Sequence, residues 1–347
     1  MLAGSPMSHD TLSDVLRTVR LRSALFYDLS CAGKWLAEAP ASGDIAGAVM
    51  SDVDQVIPYH VVTAGECWVA LQGEQPLRLR RGDIVILPQG DPHVVSSAPG
   101  MRPEPNVDWY EEMKLHKRPF RLAQDGVAAT PDREACRPAP GADHETDTSL
   151  VCGFIGCDKR PFNPLLATLP RLLHLPAAAG SAWGAQFAQL AATVSGSQRP
   201  GSEVLLERMS EMMFVDAVSR HIDSMPEQST GWLAGLRDRF VGRALALMHE
   251  NPAAAWSIDE LSNQVGLSRS ALHERFVELI AQPPMQYLTQ WRMQLASRML
   301  LDSQSSVLSI ALKTGYESEA AFGRAFKRLV GMPPAAWRRR QGQLAAP

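Results

Sequence analysis

The chain has 347 residues, of which 45% are hydrophobic and 20% are charged, and its formal net charge is -3. This length suffices for two ordinary domains, and no apolar run approaches the roughly 20 residues that a membrane-spanning helix needs. The N-terminus has no apolar secretion signal, and five cysteines are an odd number that favours a reducing compartment over a disulfide scaffold. We therefore expect a cytoplasmic globular protein with no membrane partner.

Short strand-like segments dominate the first third of the chain. Residues 10–22 carry apolar side chains at helical spacing and predict one amphipathic helix. Between residues 23 and 96, β-rich runs alternate with turns that contain Gly and Asp, which predicts an all-β barrel or sandwich. Residues 98–147 contain seven prolines and show little periodicity, so they are interpreted as a long loop.

Helical patterns become more frequent towards the middle of the chain. A buried strand is predicted for residues 149–157, and helices are predicted for residues 164–173, 183–192 and 202–223. The last of these helices has apolar residues around more than one face, which indicates burial or packing against another subunit. A homodimer is therefore a candidate assembly. Residues 224–235 are interpreted as a linker.

A sequence repeat and a basic charge balance distinguish the C-terminal third. A helix–turn–helix pattern occurs twice, and its matching positions lie 49 or 50 residues apart: Ser257 and Ser306, Gly266 and Gly315, Leu272 and Phe322, Phe276 and Phe326. Residues 284–301 predict one long helix between the two units. Residues 236–347 carry 14 Lys/Arg and 9 Asp/Glu, a net charge of +5, which favours nucleic-acid binding.

The second helix of each unit would place its outward residues in a DNA major groove. In the first unit these residues are Arg269, Ser270, His273 and Glu274, and in the second they are Glu319, Ala320, Gly323 and Arg324. Arg324 is the best candidate for base recognition, because a guanidinium can form two hydrogen bonds with guanine. The candidate phosphate contacts, of which we expect about half to touch DNA, are Arg292, Arg298, Lys313, Lys327, Arg328 and Arg338 to Arg340.

These patterns resemble the C-terminal domain of the AraC/XylS family of bacterial transcription regulators. The resemblance covers about residues 235–340 and includes Trp256-Ser-Ile-Asp-Glu-Leu, Gly266-Leu-Ser-Arg-Ser, Gly315-Tyr-Glu-Ser-Glu-Ala-Ala-Phe and Gly331-Met-Pro-Pro. It implies an all-α domain with two helix-turn-helix units joined by a long helix. It also implies transcription regulation, usually activation, through double-stranded promoter DNA and with RNA polymerase as a partner.

Two motifs in the first half resemble the cupin family of small β-barrels. The segment from Gly82 to His93 fits G-x5-P-x-G-x2-H, and His60 and Glu66 match positions of the first cupin motif. In metal-binding cupins the first motif supplies two His and a Glu, and the second supplies a His, but Val62 stands here at the second His position. The three matching residues could therefore line a metal-free effector pocket, or hold zinc or another divalent metal.

Two cysteines, Cys152 and Cys157, flank a glycine-containing segment that could act in redox chemistry or bind a metal. A separation of five residues puts them on opposite faces of a straight strand, so they share a site only if a bulge interrupts it. Packing in the core as small apolar residues is the alternative. If zinc binds, His60 and His93 could complete a Cys2His2 set.

Together these patterns predict an α+β protein with two domains. Residues 1–223 would form a cupin-like β-barrel for effector sensing and dimerisation, with a helical segment at its end. Residues 236–341 would form the DNA-binding domain. The expected function is sequence-specific regulation of transcription, controlled by a small-molecule, metal or redox signal, with no catalytic residues and no certain cofactor. A cupin-type metalloenzyme fused to a DNA-binding domain is the alternative function.

Overall fold

The computed structural model describes residues 9–50, 53–101, 120–125, 128–131, 148–177, 182–197 and 199–344. The chain divides into two compact units, and each unit consists of segments that are not contiguous in the sequence. The β-rich unit comprises the described parts of Leu21–Cys157 and Leu169–Ser219. The helical unit comprises the described parts of Met1–Arg20, Asp158–Thr168 and Arg220–Pro347.

Two sheets form the β-rich unit, and their described strands are β1 (Arg22–Ala32), β2 (Leu36–Ala39), β3 (Gln55–Ala64), β4 (Glu66–Leu71), β5 (Leu77–Arg80), β6 (Ile84–Ile86), β7 (His93–Ser96), β8 (Phe120–Asp125), β9 (Ala128–Pro131), β10 (Thr148–Cys157) and β11 (Leu173–Leu175). The larger sheet has the order β11-β6-β3-β10-β1-β8-β9, and the smaller has the order β2-β7-β4-β5. β1 pairs with β8 in parallel and with β10 antiparallel.

The core of this unit lies between the two sheets. Leu29, Leu150 and Cys152 from the larger sheet and Cys67 and Val69 from the smaller sheet belong to one buried cluster. Among the described strands the sheets do not close into the single barrel that the cupin resemblance suggested. The unit is a two-sheet form of the predicted β-rich cupin domain, with alternate side chains of each strand directed into the shared core.

The β-rich unit also contains helices α2 (Ser42–Val49) and α3 (Ala182–Ser197) and most of α4 (Ser202–Ser224), whose residues from Arg220 onwards are assigned to the helical unit. The last two confirm the helices predicted for residues 183–192 and 202–223. The helix predicted for residues 164–173 is wrong, because turns occupy this segment before β11 begins. Pro170 explains the difference, since proline donates no backbone hydrogen bond and disfavours helical geometry at the preceding residue. The predicted 98–147 loop lies largely outside the described residues, and β8 and β9 occupy part of it.

The helical unit contains α1 (Thr11–Thr18), α5 (Trp232–Arg237), α6 (Arg239–Glu250), α7 (Ile258–Val265), α8 (Arg269–Ile280), α9 (Pro284–Asp302), α10 (Val307–Lys313), α11 (Glu319–Val330) and α12 (Pro334–Leu344). The all-α domain with a long central helix, α9, is therefore confirmed. Residues 224–235, interpreted above as a linker, include the start of α5. Trp232 and Leu233 are buried there, so this part of the segment packs into the unit.

Candidate nucleic-acid interface and histidine–cysteine site

The first helix-turn-helix unit consists of α7 and α8, and local capping interactions set its boundaries. Ser257 and Glu260 form a reciprocal capping box at the start of α7. Gly266 ends α7 with a φ of 80°, a left-handed conformation in which glycine avoids the steric cost of a side chain. Ser268 caps α8 by accepting a hydrogen bond from a backbone N–H. The sequence thus fixes both helices and the turn between them.

The second helix-turn-helix unit, α10 and α11, repeats this construction. Ser306 and Ser318 cap the two helices with their side chains. Gly315, between the helices, has a φ of 78°, close to that of its counterpart in the first unit. Phe322 and Phe326 on α11 are fully buried. The repeat predicted from the sequence is therefore a structural repeat.

Burial places the predicted DNA-contacting residues on the outer face of α8 and α11. The exposed residues are Arg269, Ser270, His273, Glu274, Glu319, Ala320, Arg324, Lys327 and Arg328. Gly323 is partly buried, and a Cβ atom added there would meet nothing within 4 Å. The two faces differ in charge, because Arg269 Nη1 lies 3.8 Å from Asp259 and Glu274 stands nearby in the sequence. The basic side chains on α11 give the second unit the more positive outer face.

Two arginines predicted to contact phosphate are engaged within the protein instead. Arg292 Nε and Nη2 donate to the carbonyl oxygens of Pro252 and Ala254, both at 2.7 Å. Arg338 Nε and Nη2 likewise donate to backbone carbonyls, at 3.1 and 2.7 Å. These bonds tie α9 to the segment before α7, and α12 to the end of α9. Both arginines therefore hold the helical unit together, which corrects their assignment as phosphate contacts.

In the β-rich unit, three predicted site residues form one hydrogen-bonded chain, the histidine–cysteine site of Cys152, His60 and His93. His60 and Cys152 are directly opposite each other on the antiparallel strands β3 and β10. His60 Nδ1 lies 2.9 Å from Cys152 Sγ, and His60 Nε2 lies 2.7 Å from His93 Nε2. All three side chains are buried. The register of β3 and β10 thus places His60 of the first cupin motif beside Cys152, the first of the two paired cysteines.

A backbone carbonyl fixes the direction of every hydrogen bond in this chain. His93 Nδ1 lies 2.9 Å from the carbonyl oxygen of Asp91, which can only accept, so Nδ1 carries the proton. A neutral His93 must then accept at Nε2 from His60 Nε2–H. This leaves His60 Nδ1 as the acceptor for the Cys152 thiol. Burial lowers the pKa of His60 well below its ordinary value and lowers that of His93 to about 4, so both rings are neutral near pH 7.

The structure places two other predicted residues away from this site. Glu66 is exposed and accepts two hydrogen bonds from Arg78, because the chain turns at Gly65 and passes from β3 into β4 of the other sheet. Cys157 lies at the end of β10, about 16 Å along the strand from Cys152 at 3.3 Å per residue. Pairing with β3 continues without interruption from Leu150 to this end, so no bulge brings the cysteines together.

Known protein families match both the N-terminal and the C-terminal parts of the chain. Residues 10–223 match a family described as Cupin, and residues 261–340 match a family described as Helix-turn-helix domain. A protein of Streptomyces lividans, named as an AraC-like transcription regulator, is 32% identical over 332 residues, which are 95% of this chain and 98% of that one.

The chain belongs to the AraC family of transcription regulators.

Two further relatives of this AraC-type regulator are informative. The RCS-specific HTH-type transcriptional activator RclR of Escherichia coli K12 is 25% identical over 293 residues, which cover 84% of this chain and 87% of that one. The DNA-binding domain of AdpA, crystallised with a target DNA, is 28% identical and covers 31% of this chain and 96% of that one, with a TM-score of 0.30. The match to the helix-turn-helix family lies within the helical unit, and the full-length relative is named as a transcription regulator.

The histidine–cysteine site of this regulator does not fit a bound metal as it stands. A metal needs lone pairs that converge on one point, whereas His60 directs its two nitrogens to Cys152 on one side and to His93 on the other. His93 uses its remaining nitrogen on Asp91. Across the described parts of the chain, no group of three or more His, Cys, Asp or Glu side chains is placed to hold a metal ion.

Two residues near this site escaped the sequence analysis. The carbonyl of Asp91 orients His93, and its carboxylate is held by Arg171 at 2.8 Å. The Tyr59 hydroxyl on β3 donates to Ser210 Oγ of α4 at 2.7 Å, because Ser210 donates its own proton to the Leu206 carbonyl. A Cβ atom on Gly153 would lie 2.3 Å from the Tyr59 hydroxyl oxygen. Gly153 is therefore needed for close packing. Its place inside the paired-cysteine motif was the available signal.

An apolar stripe runs along the outer side of α4. Val204, Leu205, Met212 and Val215 are 36–57% exposed, and Leu190 on α3 is 52% exposed. At 100° per residue the four α4 positions fall within about a third of the helix circumference, so they form one face. Among the described helices, none has the length and apolar character required to cross a membrane.

Proposed function

We propose that this AraC-type regulator activates transcription and that the state of the histidine–cysteine site decides when it does so. The chain of hydrogen bonds from Cys152 through His60 to His93 carries the proposal, because the cupin motif puts two of its members at ligand positions. A polar network inside an apolar core is stable only when every member is paired. A small molecule, a metal or an oxidant that removed one bond would therefore shift the conformational equilibrium of the unit.

We infer that both recognition helices contact successive major grooves of promoter DNA. The central helix α9 has 19 residues and spans about 28 Å at 1.5 Å per residue. That length is comparable with the roughly 34 Å between successive grooves on one face of the duplex. Arg324 would recognise a base edge, while Lys327 and Arg328 would neutralise phosphates. The exposed face of α8 would contribute Arg269, Ser270, His273 and Glu274.

Salt-dependent binding tests the DNA part of the proposal. Fluorescence anisotropy with the promoter fragment should show log affinity falling linearly with log salt concentration, because bound cations release counterions. Lys327→Ala and Arg328→Ala should each reduce the slope by about 1 and weaken all sequences alike. Lys34→Ala, which removes an exposed cation from the β-rich unit, is the matched control and should leave the slope unchanged. Equal slopes in all four proteins would contradict the phosphate assignment.

Cys152 and Cys157 provide a matched pair for testing the sensor. Reporter transcription should respond to the inducing condition in wild type and in Cys157→Ser, and should lose that response in Cys152→Ser. Serine keeps a hydroxyl donor. Because a C–O bond is shorter than a C–S bond, the serine oxygen would lie farther from His60 Nδ1 than the cysteine sulfur does. Screening peroxide, chelators and metal salts as inducers distinguishes a redox signal from a metal signal. An unaltered response in Cys152→Ser would overturn the site assignment.

We propose that the protein works without a resident metal, because the geometry of the histidine–cysteine site does not converge on one. Purified wild type should contain no stoichiometric zinc or iron by elemental analysis. Stoichiometric zinc that disappeared in Cys152→Ser would instead establish a metal sensor. We also propose that the protein is not an enzyme, since Val62 replaces the second cupin histidine and Glu66 lies apart. Turnover of a small molecule by the metal-loaded protein would restore the metalloenzyme alternative.

The exposed stripe on α4 supports a homodimer, with a second copy of the same stripe as its partner. Arg208 and Glu211 form an ion pair on this helix, and a two-fold arrangement would place opposite charges across from each other. Met212→Glu should convert a dimer to a monomer in light scattering, whereas Glu227→Ala outside the helix should not. We propose that the protein acts in the cytoplasm and, as an activator, contacts RNA polymerase at the promoter.

A further inference from the structure

We propose that Phe162 and Asp14, which precede the DNA-binding domain by many residues, are positioning residues for its first helix-turn-helix unit. They would act through the Tyr287 cluster, which consists of the partly buried Phe162 and the buried residues Trp232, His249, Phe276 and Tyr287. The second unit has no such external support among the described residues. This inference rests on DNA binding by the family and is independent of the histidine–cysteine site.

Tyr287 is the centre of the cluster and is fully buried near the start of α9. Its hydroxyl lies 2.8 Å from both Trp232 Nε1 and His249 Nε2. The indole can only donate, so the hydroxyl accepts from Trp232, and its own proton is available for the hydrogen bond with His249 Nε2. Phe276, from the recognition helix α8, meets the Tyr287 ring edge to face at 5.9 Å between centroids, in the range of a favourable aromatic pair. The cluster thus joins the recognition helix to the central helix.

The N-terminal helix α1 reaches this cluster through His249. Val15, Leu16 and Val19 are buried where α1 packs against α6 and α9. Asp14 on α1 lies 3.8 Å from His249 Nδ1 and also contacts His9. Burial would raise the pKa of Asp14, but His249 and His9 outweigh it and lower the pKa, so the carboxylate is charged. The negative charge of Asp14 therefore faces the His249 ring, which is hydrogen-bonded to the Tyr287 hydroxyl.

The Asp158–Thr168 segment also reaches the cluster. The Phe162 ring lies edge to face with Tyr287 at 5.5 Å between centroids. The Phe162 backbone N–H donates to Oε1 of Gln294, a buried α9 side chain, at 3.1 Å. Asp158 N–H donates to the carbonyl of Val19 at 2.8 Å, which links the segment to the residue following α1. The segment and α1 are therefore joined to each other and to α9.

The second helix-turn-helix unit is packed differently. Trp337 stands at the repeat position of Tyr287 and faces Phe326 at 6.3 Å. Its Nε1 has no hydrogen-bond partner within the described residues. The buried cluster of this unit consists of residues between Met293 and Trp337, all from the DNA-binding domain. Distant segments of the chain thus contribute to the core of the first unit, and the core of the second is built locally.

Tethered cleavage of DNA measures the pose of each unit directly in the full chain. An iron–EDTA reagent attached to Ser270→Cys would report the position of α8, and the same reagent on Ala320→Cys would report that of α11. Phe162→Ala should reduce cleavage from position 270 on the order of tenfold, because the edge-to-face contact with the Tyr287 ring is lost. Cleavage from position 320 should keep its pattern and most of its intensity. Asp14→Ala should act in the same direction with a smaller effect.

Two control variants separate positioning from loss of fold. Phe214→Ala removes a buried ring from the β-rich unit, and Asp44→Ala removes an exposed carboxylate from α2. Both should leave the ratio of the two cleavage signals unchanged. If Phe162→Ala fails to fold by circular dichroism, Tyr287→Phe keeps the ring, removes the hydroxyl and should shift the same ratio severalfold. An equal loss at both positions, or no loss at either, would overturn the proposal.

Discussion

The two helix-turn-helix units share one sequence pattern but differ in how they are held and in what they present. Their capping serines and turn glycines correspond position by position, as do the buried Phe276 and Phe326. The first unit is supported by the Tyr287 cluster and has a mixed-charge outer face. The buried cluster of the second unit, within the part of the chain that the structure describes, comes from residues between Met293 and Trp337. This unit exposes Arg324, Lys327 and Arg328. A repeat in sequence therefore fixes the local fold of each unit, and surrounding segments decide how each can be used.

The largest expected effect tests whether the two cores are equivalent. Phe276→Ala and Phe326→Ala remove fully buried rings at matching positions. Each should lower the free energy of unfolding of the helical unit by about 3–5 kcal/mol, the usual cost of such a deletion. Chemical denaturation followed by tryptophan fluorescence measures both losses. A loss under about 1 kcal/mol for either variant would show that its ring does not belong to a close-packed core.

The turn glycines provide a second matched pair. Both have positive φ, but a Cβ atom on Gly266 would meet nothing within 4 Å. A Cβ atom on Gly315 would lie 2.8 Å from Arg292 Nη2 and 2.9 Å from the Ala253 carbonyl oxygen. Gly266→Ala should cost about 1–2 kcal/mol for the left-handed backbone alone. Gly315→Ala should cost more, because it also displaces the Arg292 bonds, and equal costs in thermal melting would refute this role of Arg292.

Base recognition should also be unequal. Arg324→Ala should reduce discrimination between the promoter site and a site with substituted bases by about 1–3 kcal/mol. His273→Ala, at an outward position on α8, should reduce discrimination less, because an imidazole cannot form the two parallel hydrogen bonds that a guanidinium forms with guanine. Competition binding against a panel of single-base variants measures both effects. Full discrimination in Arg324→Ala would remove it from base recognition.

The smallest expected effect is a pH dependence restricted to the first unit. Burial lowers the pKa of His249, so its contribution to stability is complete above its unfolded pKa of about 6.5 and is lost as pH falls below that value. Asp14, whose pKa is lowered, loses its contribution only below about pH 4. Between pH 6.5 and 5, hydrogen exchange corrected for intrinsic rates should show falling protection in α6 and α8, with α11 unchanged. The exchange must be resolved residue by residue, because burial also lowers the pKa values of His60 and His93 and so changes the stability of the β-rich unit in the same direction.

Local patterns were sufficient to predict the helical unit. Capping serines, turn glycines and apolar spacing are all encoded within a few residues, and they correctly placed α7, α8, α10 and α11. The same reasoning failed for Arg292, because the carbonyls that accept its hydrogen bonds lie about 40 residues away in the sequence. It also missed Asp14 and Phe162, whose contacts with His249 and Tyr287 span more than 100 residues. Long-range pairing leaves no periodic signal.

The β-rich unit shows which arguments from the sequence succeed and which fail. Cys152 and Cys157 fall on opposite faces because β10 is regular, as their spacing predicted for a straight strand. Glu66 was grouped with His60 because both match the first cupin motif, yet a turn and a change of sheet lie between them. The contact between His60 and Cys152 depends on the register of β3 and β10, which are separated by more than 80 residues. Such a register cannot be obtained from either strand alone.

The central claim is that contacts from outside the DNA-binding domain position the first helix-turn-helix unit and not the second. The most direct measurement is a thermodynamic cycle that combines Phe162→Ala with base substitutions in the half-site contacted by α8. Fluorescence anisotropy should show that the binding free energies lost through Phe162→Ala and through these base substitutions are not additive. The reason is that a misplaced α8 makes few favourable contacts even with the correct bases. Phe162→Ala should remain additive with substitutions in the half-site contacted by α11. Additivity in both half-sites would contradict the account.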